Sequence, residues 1–172
     1  MNRQEILDMI ASGKKDFYAA MLSFQDLSYL DLSDCDFRYA RFNNADLKNV
    51  NLTNANLTNA SLYNADLTNV NLTNANLSYT DLYYADLSKA NLTNANLSYA
   101  DLTESNLSNT NMEDARLRES KLTSANLTGA NLRGVYMRYA NLENANLTDA
   151  CMRNTNLKGV NLDNTCIKNT KF

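Results

Sequence analysis

Asn71-Leu72-Thr73-Asn74-Ala75-Asn76-Leu77-Ser78-Tyr79 returns residue for residue as Asn91-Leu92-Thr93-Asn94-Ala95-Asn96-Leu97-Ser98-Tyr99, and its first seven residues also begin at Asn51. The chain therefore repeats every twenty residues. A shorter period lies inside this one. From Leu22 onward a large apolar residue takes every fifth position, through Leu27, Leu32, Phe37, Phe42 and Leu47 to Leu162, Ile167 and Phe172, thirty-one positions without an insertion. From Cys35 onward a small residue stands two places before each, as in Ala40, Val50, Thr80, Ser105 and Thr170. Residues two apart share one side of an extended chain, whereas a period of five matches neither an α-helix nor a long strand. Each unit is therefore a brief extended stretch followed by a corner. Four units close one turn of a solenoid, with the small and large residues inside and the polar ones outside. With coils stacked at ~4.8 Å, residues 20–172 make about 7.6 coils and a rod roughly 37 Å long.

The units Ala45-Asp46-Leu47-Lys48-Asn49 and Ala55-Asn56-Leu57-Thr58-Asn59, with their successors, resemble the A(D/N)LXX unit of the pentapeptide repeat family. The likeness runs over residues 20–172. It implies an all-β solenoid: a right-handed quadrilateral β-helix of about 7–8 coils with a short N-terminal capping α-helix, the handedness coming from the family alone. The expected organisation is a capping helix and lead-in over 1–19 and the repeat β-helix over 20–172. Most members of that family have no known activity; some resemble B-DNA and bind DNA gyrase.

Composition narrows the chemistry. The chain has 172 residues, no His, 16 basic against 19 acidic residues and a formal net charge of -3. This balance does not suit a basic nucleic-acid binder, so no direct nucleic-acid contact is expected. Without His, and with a filled core in place of a pocket, no catalytic residue, cofactor or metal is expected, and the protein is not expected to be an enzyme. Cys35, Cys151 and Cys166 are odd in number and form no metal-binding spacing. The acid-interrupted start Met1-Asn2-Arg3-Gln4-Glu5-Ile6-Leu7-Asp8 lacks the apolar core of a signal peptide. No apolar run is long enough for a membrane span. A cytoplasmic protein with no membrane contact is the expectation. The Asn-Leu-Thr and Asn-Leu-Ser triplets are products of the repeat and are not read as glycosylation sites.

A solenoid must cover its terminal coils. At the N-terminus, Asn2 and Glu5 fit a capping box, Ile6, Leu7 and Ile10 an apolar stripe, and Gly13 a stop, which predicts a helix over about 3–12. The first coil departs from the pattern at Gln25 and Leu30, and at Phe37 and Phe42, as expected where it meets a helix. At the other end the repeat continues to Phe172, so Ile167 and Phe172 are candidates for an end-to-end homodimer through the C-terminal coil.

Stacking residues twenty apart turns outer positions into columns. Asp26, Asp46, Asp66 and Asp86 form an acidic column expected to raise carboxylate pKa values and to attract cations, although Asn106, Asn126 and Asn146 continue it and suggest a simpler preference for Asp or Asn. Tyr79 and Tyr99 share a corner with Tyr39 and Tyr139, and Tyr63, Tyr83 and Tyr84 lie on the next face. Tyr63, Tyr79, Tyr83, Tyr84 and Tyr99 are the candidate interaction surface, expected to be exposed together. Arg118, Arg138 and Lys158 align beside Arg133 and Arg153, with Glu113, Asp114 and Glu119 interleaved. Asn51, Asn71, Asn91, Asn111 and Asn131 are read as a structural amide ladder.

Two functions follow. The first is a rigid surface for an unidentified protein partner. The second, implied by the family resemblance, is DNA mimicry toward gyrase, as a topoisomerase inhibitor or in quinolone protection. B-DNA carries one charge per ~1.7 Å, or about 22 over such a rod. Residues 26–104 hold ten acidic against four basic residues, a net of -6, so the match is partial.

Overall fold

The computed structural model describes all 172 residues. Its only helix, α1 (Arg3–Ala11), opens with the expected capping box: the Glu5 amide donates to Asn2 Oδ1 at 2.9 Å and the Asn2 amide to Glu5 Oε2 at 2.9 Å. Ile6 is fully buried, and Met9 and Ile10 pack against the same core. Leu7 does not belong to that stripe and is exposed, because one residue along a helix turns the side chain through about 100°. The Arg3 guanidinium donates to the carbonyls of Asp26 and Ser28 at 3.0 and 2.8 Å and pins α1 to the first coil.

The rest of the chain is a right-handed quadrilateral β-helix. Parallel bridges join residues twenty apart, from Asp16↔Asp36 to Cys151↔Lys171. The coil thus starts before the expected boundary at residue 20, and Phe17 is buried and stacked on Phe37 with ring centroids 5.0 Å apart. Phe17 lies five residues before Leu22, so the repeat already contained it.

The unit around Leu47 shows why a pentapeptide suffices. Asp46 N–H donates to the Gln25 carbonyl below, Leu47 N–H to the Asp66 carbonyl above and Asn49 N–H to the Thr68 carbonyl, at 3.0, 2.7 and 3.1 Å. Val50 N–H closes the corner onto the Leu47 carbonyl at 3.2 Å. The remaining amide, that of Lys48, donates to Asp46 Oδ1 at 3.0 Å. Every amide in the unit is bonded, and one of the five requires a side-chain acceptor at the Asp/Asn position.

Corners have positive φ at their second residue in all thirty-one cases from Ala19 to Asn169, twenty-eight of them non-glycine. One positive φ at the third position of a bonded four-residue turn is type II geometry. Asn tolerates this conformation better than other side chains, and Asn takes thirteen of the corners. This is how a chain with no Pro and only four Gly turns so often.

The interior is one cluster of fifty buried apolar residues, Leu stacked on Leu with Ala or Val beside it. Where Thr80, Ser105, Thr110 and Ser120 replace Ala, each hydroxyl donates to a Leu carbonyl at 2.7–3.0 Å. No buried side-chain polar atom lacks a partner.

Candidate interaction surfaces

The residue before each buried Leu stands at the middle of a face, and the two after it form a corner. Four faces result, named here by a central residue: the Arg116, Asp81, Asp66 and Asn71 faces, in order around the coil.

Tyr79 and Tyr99 occupy the corner between the Arg116 and Asp81 faces, stacked at 4.8 Å with 3° between their planes. Tyr63, Tyr83 and Tyr84 occupy the following corner, where Tyr63 stacks on Tyr83 at 6.0 Å and Tyr84 meets Tyr83 edge-on at 4.3 Å. Tyr83 Oη donates to Glu104 Oε1 at 3.2 Å. Hydrogen bonds with Tyr83 and Glu104 push the Tyr84 hydroxyl well above its ordinary pKa. The Asp81 face, with Ser61 and Asp101, lies between the two groups, so the five tyrosines border one surface from both sides. Tyr63, Tyr79, Tyr84 and Tyr99 are exposed; Tyr83, the middle of its cluster, is half-buried, contrary to the expectation of uniform exposure. Of their column mates, Tyr39 pairs with Tyr18 at 5.5 Å and Tyr139 lies under the Arg138 guanidinium at 4.7 Å.

On the Asp66 face, Asp26 Oδ1 accepts from the Ser28 amide at 2.9 Å and its hydroxyl at 2.6 Å; Asp66 Oδ1 accepts from the Thr68 amide at 3.1 Å and its hydroxyl at 2.7 Å. Asp46 and Asp86 likewise accept from the Lys48 and Ser88 amides at 3.0 and 2.8 Å. The Ser28 hydroxyl and amide hold the Asp26 carboxyl below its ordinary pKa. Burial pushes Asp66 up, but the Thr68 hydroxyl and Lys48 outweigh it, and the net shift is downward. The expected upward shift from stacked carboxylates is therefore wrong for these two: each ionised oxygen is fixed by local donors. Lys48 Nζ sits between Asp46 and Asp66 at 3.4 and 2.9 Å, a cation supplied by the chain itself. Nowhere do three or more His, Cys, Asp or Glu residues group as metal ligands.

The Asn71 face carries the amide column. Asn131 Nδ2 donates to Asn111 Oδ1 at 2.9 Å, and Asn71 Nδ2 to Asn51 Oδ1 at 3.4 Å. The shorter bonds of Asn71, Asn91 and Asn111 go to the Thr Oγ1 of the coil below at 2.9–3.0 Å, so the ladder runs through hydroxyls as well as amides.

Arg118, Arg138 and Lys158 lie on one edge of the Arg116 face and Arg133 and Arg153 on the other. Arg118 pairs with Glu119 at 2.9 Å and Arg133 with Glu113 at 3.9 Å. A depression of about 420 Å³ is lined by Asn96, Ser98, Arg116, Arg118 and Tyr136. Arg116 and Tyr136 were not singled out in the sequence, yet the twenty-residue spacing places both in one column.

A rim around the first coil was also missed. Tyr18, Met21, Phe24 and Tyr29 are 55–76% exposed. Phe24 and Tyr29 take positive-φ corners, positions five apart where Asn is the usual occupant. At the other end, Ile167 and Phe172 are 50% and 59% exposed. Cys35 is buried, Cys151 half-buried and Cys166 exposed, and none is in a disulfide. No helix is long and apolar enough to cross a membrane.

No curated protein matches this chain. Among solved structures, HetL, a pentapeptide repeat protein involved in heterocyst differentiation regulation from the cyanobacterium Nostoc sp. strain PCC 7120, is 28% identical with a TM-score of 0.53, over 99% of this chain and 94% of that one. QnrB1, a plasmid-mediated fluoroquinolone resistance protein, is 24% identical with a TM-score of 0.58, over 84% of this chain and 75% of that one, a likeness of fold. The Pentapeptide repeats profile matches in eight copies spanning residues 16–54, 55–94, 85–123, 95–134 and 125–164. Uninterrupted corners, twenty-residue parallel bridges and this match together place the chain in the pentapeptide repeat family.

Proposed function

We propose that this protein is a non-enzymatic scaffold that binds a protein partner through the tyrosines bordering the Asp81 face. The observation that supports it is the pair of aromatic groups, Tyr79–Tyr99 and Tyr63–Tyr83–Tyr84, on the two corners of one face. Exposed rings held by their neighbours present apolar area with little side-chain entropy left to lose on binding. The stacked coils set their spacing. The test is capture from a lysate of the source organism on immobilised protein. Wild type retains a partner that the Tyr83→Ser/Tyr84→Ser variant loses while its circular dichroism stays unchanged. An identical set of captured proteins would remove this surface.

The second reading is a DNA mimic that binds gyrase, supported by the net -6 of residues 26–104. Lys48 between Asp46 and Asp66, and Lys121 on Asp101 at 3.1 Å, neutralise part of that charge and weigh against it. A supercoiling assay with and without a quinolone separates the readings. Inhibition or protection at low micromolar protein supports mimicry, and no effect at tens of micromolar sinks it.

A further inference from the structure

We propose that the C-terminal half of the Arg116 face binds a short acidic segment of a protein partner. This rests on the scaffold reading but uses the neighbouring face, which shares only the Tyr79–Tyr99 corner with the tyrosine surface. Of the eight arginines in the chain, the five that follow residue 41 all border this one face. Arg116 stands in its centre, Arg118 and Arg138 on one edge with Lys158, and Arg133 and Arg153 on the other. Arg116, Arg138, Arg153 and Lys158 have no carboxylate within salt-bridge distance, so their charge is free for a ligand. Aromatic rings steady two of the guanidinium groups: Arg118 lies 5.9 Å from the Tyr99 centroid and Arg138 4.7 Å from that of Tyr139, with Arg138 also donating to Tyr139 Oη at 2.8 Å. Guanidinium groups held in this way pair with carboxylates through parallel N–H donors.

Size and surroundings select the ligand. The central column from Arg116 through Tyr136 to Asn156 rises roughly 10 Å at ~4.8 Å per coil, a length spanned by three or four residues of an extended peptide. Below it the rod turns acidic: residues 105–172 carry nine basic and six acidic residues, residues 26–104 four and ten. A long polyanion laid along the rod would enter that repulsive half, whereas a short acidic segment need not. A single-stranded nucleic acid also wants open ring faces. Tyr79 and Tyr99 face each other, and arginines cover Tyr99 and Tyr139, leaving Tyr136, 57% exposed, as a lone platform.

The experiment is fluorescence anisotropy with a labelled octa-glutamate peptide and, separately, a labelled dT12, at about 20 mM salt, where charge attraction is weakly screened. Wild type binds the peptide more tightly than dT12. Arg116→Glu/Arg138→Glu weakens it more than about tenfold, while Lys89→Glu/Lys168→Glu, with the same change of net charge on a corner that does not border this face, weakens it less than about twofold. Circular dichroism and melting of each variant establish that it is folded. Tyr83→Ser/Tyr84→Ser keeps peptide binding, so failure of the tyrosine surface and failure of this one are distinguishable. No peptide binding by wild type, equal loss in both charge variants, or tighter dT12 binding overturns the proposal. So does self-association abolished by Arg116→Glu/Arg138→Glu in a protein that ignores the peptide, which would assign the face to a second copy.

Discussion

Asn91 Oδ1 accepts two hydrogen bonds from Thr93, one from its amide at 3.2 Å and one from its hydroxyl at 2.7 Å. No neighbouring coil offers the Thr93 amide a carbonyl, so this side chain is its only partner. Asn91→Ala leaves that N–H without an acceptor and is expected to cost about 1–3 kcal/mol, whereas Asn91→Asp keeps the acceptor and loses less. Thermal melts of the two variants beside wild type check the order; an alanine variant as stable as wild type would remove the side-chain acceptor as the reason for Asp or Asn here.

The same contact sets an acid limit. Hydrogen bonds from Ser28 to Asp26 and from Ser33 to Asp31, and the Arg38 side chain on Asp36, hold these carboxyls below the ordinary 3.8. A folded-state pKa below the unfolded one contributes stability above the unfolded value and loses it as pH falls through the folded value. The melting temperature should hold level from pH 7 to about 5 and drop as pH passes below 3.8. A melting temperature that rises on acidification would contradict the downward shifts.

Corners store strain where the residue is neither Asn nor Gly. Lys89 has φ 60°, and Lys89→Gly removes a left-handed penalty of about 1 kcal/mol, partly offset by the entropy of glycine in the unfolded chain. At Gly159, φ 71°, a Cβ would run into the Tyr139 ring one coil below. Gly159→Ala should therefore destabilise while Lys89→Gly is neutral or stabilising, a difference of sign that denaturant titration reads directly.

Burial raises the Cys35 thiol to about 11, while a hydrogen bond with Thr148, then one with the Lys168 backbone, lowers that of Cys166. A thiol reagent at pH 8 should modify Cys166 within the folded state and Cys35 only on unfolding. Mass spectrometry of the modified protein against time distinguishes the two; early labelling of Cys35 would mean that the first coils open.

The spacing of Leu22 to Phe172, with small residues two places before the large ones from Cys35 onward, determined the solenoid by itself, because each core position depends only on its place in a five-residue unit and its neighbours one coil away. Columns such as Tyr99 above Tyr79 were legible for the same reason. Partnering within a column was not, since it depends on which atoms meet. Only the tertiary structure decided that the Asp and Asn columns act as acceptors for the amide two residues on, that Lys48 neutralises Asp46 and Asp66, and that the arginines border one face with four cations unpaired. Periodicity fixes where a side chain stands; hydrogen-bond geometry and charge at a few ångströms fix what it does there.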